Sequence, residues 1–107
     1  MNTTTDVARF RRELLRWLIL LTLNNARPIG ANEGTILMVS RAEFPDATRL
    51  ELRRELDYLS DRELVNIVKQ PSQSSAEWIA KLTRHGVDVA EYAVECEAGI
   101  ARPEKYW

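Results

Sequence analysis

From residue 6 to residue 24 the apolar positions Val7, Phe10, Leu14, Trp17, Leu18 and Leu21 recur every three or four residues. That spacing predicts an α-helix with one buried stripe. Arg9, Arg12, Glu13 and Arg16 fall on the other side of its first turns. The second half departs from the pattern. Leu15, Ile19 and Leu23 lie on a different face and Leu20 on another, so that half is apolar nearly all round. It needs cover from outside its own small unit, either a subunit interface or the chain's own C-terminal segment.

Pro28, Gly30 and Gly34 interrupt regular structure over residues 24–34. A second helix is expected from about residue 32, with Asn32 as its cap, to residue 44. Ile36, Val39 and Leu37 face inward and Pro45 ends it. The third helix has the clearest start. Thr48-Arg49-Leu50-Glu51 fits a capping box, in which the Thr48 hydroxyl takes a free amide and Glu51 reaches back. Leu52, Leu56 and Leu59 form its buried stripe; Leu50, Arg53, Arg54, Asp57 and Asp61 point away, and it ends near residues 60–62.

The period then changes from helix to strand. "LVNIVK" (64–69) is rich in β-branched residues, and "EWIAKL" (77–82) supplies the return strand. The loop between them holds Pro71, three serines and two glutamines, a long polar connection rather than a tight turn. Thr83 caps a fourth helix over 84–97, and the tail ends in Tyr106 and Trp107. The fold class is therefore mainly α with a small β-hairpin. A three-helix unit carries a two-stranded hairpin and a C-terminal helix, in one domain over residues 1–107.

"LRRELDYLSDRELVNIV" (52–68) resembles the stretch of winged helix-turn-helix proteins in which a recognition helix runs into the first wing strand. "IAKLTRHGVDVAEYA" (79–93) resembles the leucine-threonine-x-x-glycine-x-aspartate close of the wing. Together the motifs and the preceding helices extend the resemblance over about residues 7–95. It is similar to regulators of the MarR and ArsR type, and more faintly to small winged-helix proteins of Mu-like phages and prophages. Glu63 stands where many members place a glycine after the recognition helix, so that turn is made differently here. The resemblance implies double-stranded DNA as partner, with the third helix in the major groove and the wing on the backbone. It also implies a homodimer paired through terminal helices.

Carried onto this chain, the DNA-binding candidates are Thr48, Arg49, Arg53 and Arg54 on the third helix. Lys69, Gln70, Ser72, Gln73, Ser74 and Lys81 belong to the wing. Arginine reads guanine bidentately, and open polar loops suit phosphate. The dimer-interface candidates are Leu15, Ile19, Leu20 and Leu23 with Tyr106 and Trp107.

Charge pulls the other way. The net charge is −1, and residues 46–63 hold four arginines against six acids, a net of −2 that attracts phosphates poorly. Residues 1–30 carry +3 and residues 86–107 carry −3, so Arg9, Arg11, Arg12 and Arg16 are expected to meet the acidic C-terminal segment of a partner subunit. The rival reading is a protein-interaction module on the same scaffold, such as a phage assembly or packaging adaptor. A third is a small-molecule sensor with a pocket at a dimer interface near Trp17.

No phosphate loop, nucleophile motif or paired catalytic carboxylate is present, which argues against an enzyme. The single cysteine, Cys96, excludes an internal disulfide, and the lone His85 has no cysteine or carboxylate cluster around it, so neither metal nor cofactor is expected. The apolar run 14–23 contains Arg16 and falls short of the roughly 20 residues that span a bilayer. A cytoplasmic protein without membrane contact is expected.

Overall fold

The structure is a computed structural model that describes residues 3–107. Helix α1 (Thr3–Asn25) is followed by β1 (Ala31–Asn32), α2 (Glu33–Glu43), α3 (Arg49–Asp61), β2 (Val65–Val68), β3 (Ile79–Leu82) and α4 (Arg84–Ala90). The protein is mainly helical, with a three-stranded antiparallel sheet in the order β1-β3-β2. Among the described residues no helix is long and apolar enough to cross a membrane.

The sheet differs from the expected two-stranded hairpin by one strand. Ala31 pairs with Ala80 and Asn32 with Ile79, inside the segment that its proline and glycines mark as irregular. A two-residue strand is too short to show alternation. Its entry depends on Gly30, whose φ is +87° and whose missing Cβ leaves room for the Ala80 carbonyl and the Lys81 side chain.

Helix α1 is turned relative to the expected stripe. Leu15, Ile19, Leu20 and Leu23 are all 0% exposed, packed with Trp17, Ile36, Leu52, Leu56, Leu59, Ala80, Leu82 and Val89 in the chain's own core. Residues buried this way cannot form a subunit interface, so their assignment to one is corrected. Val7 and Phe10, expected inside, are 62% and 58% exposed, while Leu14, Leu18 and Leu21 are half-buried. Both faces of the helix have apolar spacing. The one rich in leucine along the C-terminal half meets α2, α3, α4 and β3 together, and so takes the core.

Helix α4 stops at Ala90 rather than running to residue 97. Tyr92 takes φ +63°, its amide bonds Val89 O, and Ala93 N bonds Asp88 O, which closes the helix end. The freed tail folds back on α1. Ile100 enters the core, Ala101 N donates to Glu13 O, and Arg16 donates to Gly99 O. Of the covers expected for α1, the chain's own C-terminal segment lies on residues 13 and 16, while α2, α3, α4 and β3 bury the second half. Tyr106 and Trp107 end that tail exposed, with Trp107 edge-on to Tyr92 at 4.9 Å.

The end of α3 explains the missing glycine. Glu63 N donates to Ser60 O and Leu64 N to Leu59 O, the paired closure that normally places glycine in the left-handed region, and Glu63 takes φ +60° itself. Its side chain is exposed. A side chain in that region costs roughly 1–2 kcal/mol. Glu63→Gly is therefore expected to stabilise the protein by about 0.5–1 kcal/mol, after the extra freedom of glycine in the unfolded chain is subtracted. Thermal unfolding followed by circular dichroism reads this as a midpoint a few degrees higher.

The leucine-threonine-glycine stretch has a direct physical reading. Leu82 is buried, Thr83 Oγ1 accepts from Gly86 N at 3.0 Å to cap α4, and Thr83 N donates to Leu64 O. A Cβ on Gly86 would strike the Leu64 carbonyl, so α4 can lie this close to the start of β2 only with glycine there.

Candidate functional site

The residues that decide how α3 presents itself gather on one carboxylate that the sequence reading did not single out. Glu33 opens α2 directly after the Asn32 cap, and it is 0% exposed. Arg53 Nε donates to its Oε2 at 2.7 Å and Arg53 Nη2 to its Oε1. Arg49 Nη1 donates to Oε1 at 2.9 Å, and the Trp78 amide donates to the same oxygen at 3.0 Å. Burial by itself raises the Glu33 pKa. The bonds from Arg53, Trp78 and Arg49 outweigh it and hold the carboxyl below its ordinary value.

Arg53 is committed further. It donates to Ala76 O at 3.2 Å, and its guanidinium lies 4.7 Å from the centre of the Trp78 ring. Lys69 approaches the same ring at 4.6 Å and pairs with Asp57 at 3.0 Å. Arg49, Arg53 and Lys69 are thus turned into bonds that tie α2, α3 and the base of the β2–β3 loop together. Arg53 does not point outward from α3, as its helical position suggested.

The other candidates are spread out. The Thr48 hydroxyl caps α3 by accepting from Glu51 N at 3.2 Å. Glu51 is bound by Arg11, through Nε at 2.7 Å and Nη2 at 2.9 Å. Arg54 is exposed, and among the described residues no ion pair involves it. Gln70, Ser72, Gln73 and Ser74 are exposed in the loop, with the Ser72 and Ser74 hydroxyls 3.1 Å apart. Lys81 is exposed on the outer face of the sheet, in register with Asn66. The face that α3 offers to solvent comprises Leu50, Arg54, Asp57 and Asp61.

Arg11 and Arg16 of α1 meet α3 of the same chain, in place of the partner subunit expected for them. Arg11 binds Glu51 and also Asp46 at 2.9 Å, and Arg16 binds Glu55 at 2.8 Å in a nearly buried pair. Arg9 pairs locally with Asp6 at 3.6 Å. Arg16 and Arg62 lie on the Tyr58 ring at 3.4 and 3.5 Å, while the Tyr58 hydroxyl and Arg62 Nε both bond Glu97. Burial and the Glu97 carboxylate raise the Tyr58 pKa.

Trp17 is buried edge-on against Tyr92, with their ring centres 6.0 Å apart. A cavity of about 670 Å³ lies within the tail segment 92–105, bordered by Cys96, whose thiol pKa burial raises. Among the described residues no three histidine, cysteine or carboxylate side chains come together to hold a metal ion.

Comparison with family models, with curated proteins and with solved structures finds no match to this chain.

The importance of Glu33 had only a faint signal in the sequence. An acid at the start of a helix looks like a favourable charge for the helix dipole. Its partners stand 16, 20 and 45 residues further on, and only the tertiary fold brings them in.

Proposed function

We propose that this chain is a winged helix-turn-helix domain that works as a protein-interaction module, as an assembly adaptor does, rather than as a reader of DNA sequence. The winged-helix reading is supported by the element order, with β1 between the first two helices, the strand order β1-β3-β2, and the Leu82–Thr83–Gly86 junction. The observation that carries the functional reading is the commitment of Arg49 and Arg53 to buried Glu33. With Lys69 on Asp57, the solvent face of α3 keeps one unpaired cation, Arg54, beside two aspartates. A helix in a major groove needs free donors and a positive field; this face offers little of either.

Fluorescence-anisotropy titration against mixed-sequence duplex DNA, at low and near-physiological salt, tests the reading. No binding at low salt is expected. Binding that falls steeply with salt, by about 0.9 log units per phosphate neutralised, overturns it in favour of DNA. One observation favours that second reading: Arg54, Lys81 and the loop residues 70–74 are exposed. If DNA binds, Arg54→Ala is the informative variant, because Arg53 is structural and its loss confounds affinity with folding.

A further inference from the structure

Beyond Ala90 the chain forms no helix or strand, and Ile100 is the one described residue of 91–107 that is buried. The segment runs back over α1 and α3 on a few anchors. The Glu97 carboxylate accepts from Arg62 Nε at 2.8 Å and from the Tyr58 hydroxyl. Gly99 O accepts from Arg16 Nη1 at 2.8 Å, and Ala101 N donates to Glu13 O at 3.0 Å. Ile100 enters the core that holds Trp17 and Val89. Each anchor reads a feature of the sequence. Arg62, Tyr58 and the guanidinium of Arg16 on the Tyr58 ring receive the acid. The glycine is required because a Cβ on Gly99 would strike the Tyr58 hydroxyl. The core takes the branched side chain.

We infer that residues 97–101 are a detachable strap lying in a peptide-docking bed, and that the bed's partner is a segment of another protein with the same pattern. That pattern is an acid, a glycine two residues on, and a branched aliphatic residue directly after it. The inference rests on the proposed protein-interaction reading and gives it a docking site. The bed consists of Glu13 and Arg16 of α1, with Tyr58 of α3 and Arg62 at its end. The occupant's chemistry is read from the strap, which already fills the bed.

The strap is held less firmly than the core. The side chains of Arg62 and Glu97 are 42% and 39% exposed, and ion pairs this wet contribute little net stability. The segment 92–105 borders a cavity of about 670 Å³ instead of packing solid. Tyr92, at its root, takes φ +63°, where a bulky side chain is strained, so part of the attachment is offset. Detachment uncovers one fully buried aliphatic side chain, while Leu15, Ile19, Leu20 and Leu23 stay covered by α2, α3, α4 and β3. Segments with so few buried contacts open locally without global unfolding. The fraction of molecules with an open bed then sets the apparent affinity for the partner, and the strap lowers it.

Hydrogen exchange on the whole chain should show the Ala101 amide and its neighbours over 97–102 exchanging roughly a hundredfold faster than the amides of α3. The docking probe is a labelled peptide of residues 93–104 carrying Cys96→Ser, followed by fluorescence anisotropy. It should bind the whole Gly99→Ala chain about tenfold more tightly than the native chain, because the clash with Tyr58 raises the fraction with an open bed. Glu97→Gln weakens the same anchor without a clash, should act in the same direction, and serves if Gly99→Ala does not fold. Adding Arg62→Met to either chain should remove the gain, and a peptide carrying Gly99→Ala should not bind. Exchange over 97–102 as slow as in α3 overturns the strap. A peptide that ignores a chain whose strap exchanges freely overturns the bed. A Gly99→Ala chain that doubles its mass in light scattering puts a second copy's tail there and overturns the foreign partner. Duplex DNA binding in the titration above counts against the protein-interaction reading alone, whereas a failed peptide counts against the bed alone.

Discussion

Arg53→Met should lower the unfolding free energy by about 2–4 kcal/mol, because it strips the main partner from a buried carboxylate and leaves that charge poorly compensated. The figure sits toward the lower part of the range for broken buried pairs because Arg49 and the Trp78 amide still reach Glu33. Urea denaturation checks it, with an unchanged slope showing that stability and not compactness has moved. Arg54→Met, one residue on but exposed and without an ion pair among the described residues, should change stability by less than about 0.5 kcal/mol. Equal losses for the two would mean that Arg53 is not engaged as described.

The same contact sets a pH dependence. Glu33 titrates below its ordinary value when folded, so its contribution is complete above the unfolded carboxylate value near about 4.3 and is lost as pH falls through the lower folded value. The difference between the native protein and Arg53→Met should therefore be full at neutral pH and shrink on acidification below about pH 4.

The second large effect distinguishes the two faces of α1. Ile19→Ala and Leu20→Ala should each cost about 2–5 kcal/mol, the transfer loss plus the cavity left in a packed core. Against a typical total of about 5–15 kcal/mol, either is a large fraction. Val7→Ala, which changes an exposed side chain, should cost no more than about 0.5 kcal/mol. The reverse order would put Val7 and Phe10 in the core and the leucines outside. Denaturation midpoints decide between them.

Local signals in the sequence were enough for the chain's skeleton. Thr48 caps α3 and Thr83 caps α4 because a hydroxyl can satisfy a free amide two or three residues ahead, whatever the rest of the fold does. Leu52, Leu56 and Leu59 face inward because one helix stripe is apolar and the rest is charged. The change from period 3.6 to β-branched residues after residue 64 placed both long strands to within a residue or two.

Tertiary structure decided everything that depended on a choice between equals or on a distant partner. Helix α1 offers two apolar faces, and periodicity cannot rank them; the core formed by α2, α3, α4 and β3 selects the one holding Leu15, Ile19, Leu20 and Leu23. Strand β1 exists because β3 lies beside it. On α3, helical position assigned Arg53 to the outside, yet a long guanidinium reaches back to a carboxylate 20 residues away, and that contact commits one of the two best-placed DNA-binding candidates to a tie between α2 and α3. Short-range rules act through bonds between neighbours in the chain, whereas facing and charge commitment are settled by which surfaces and which opposite charges the finished fold brings within reach.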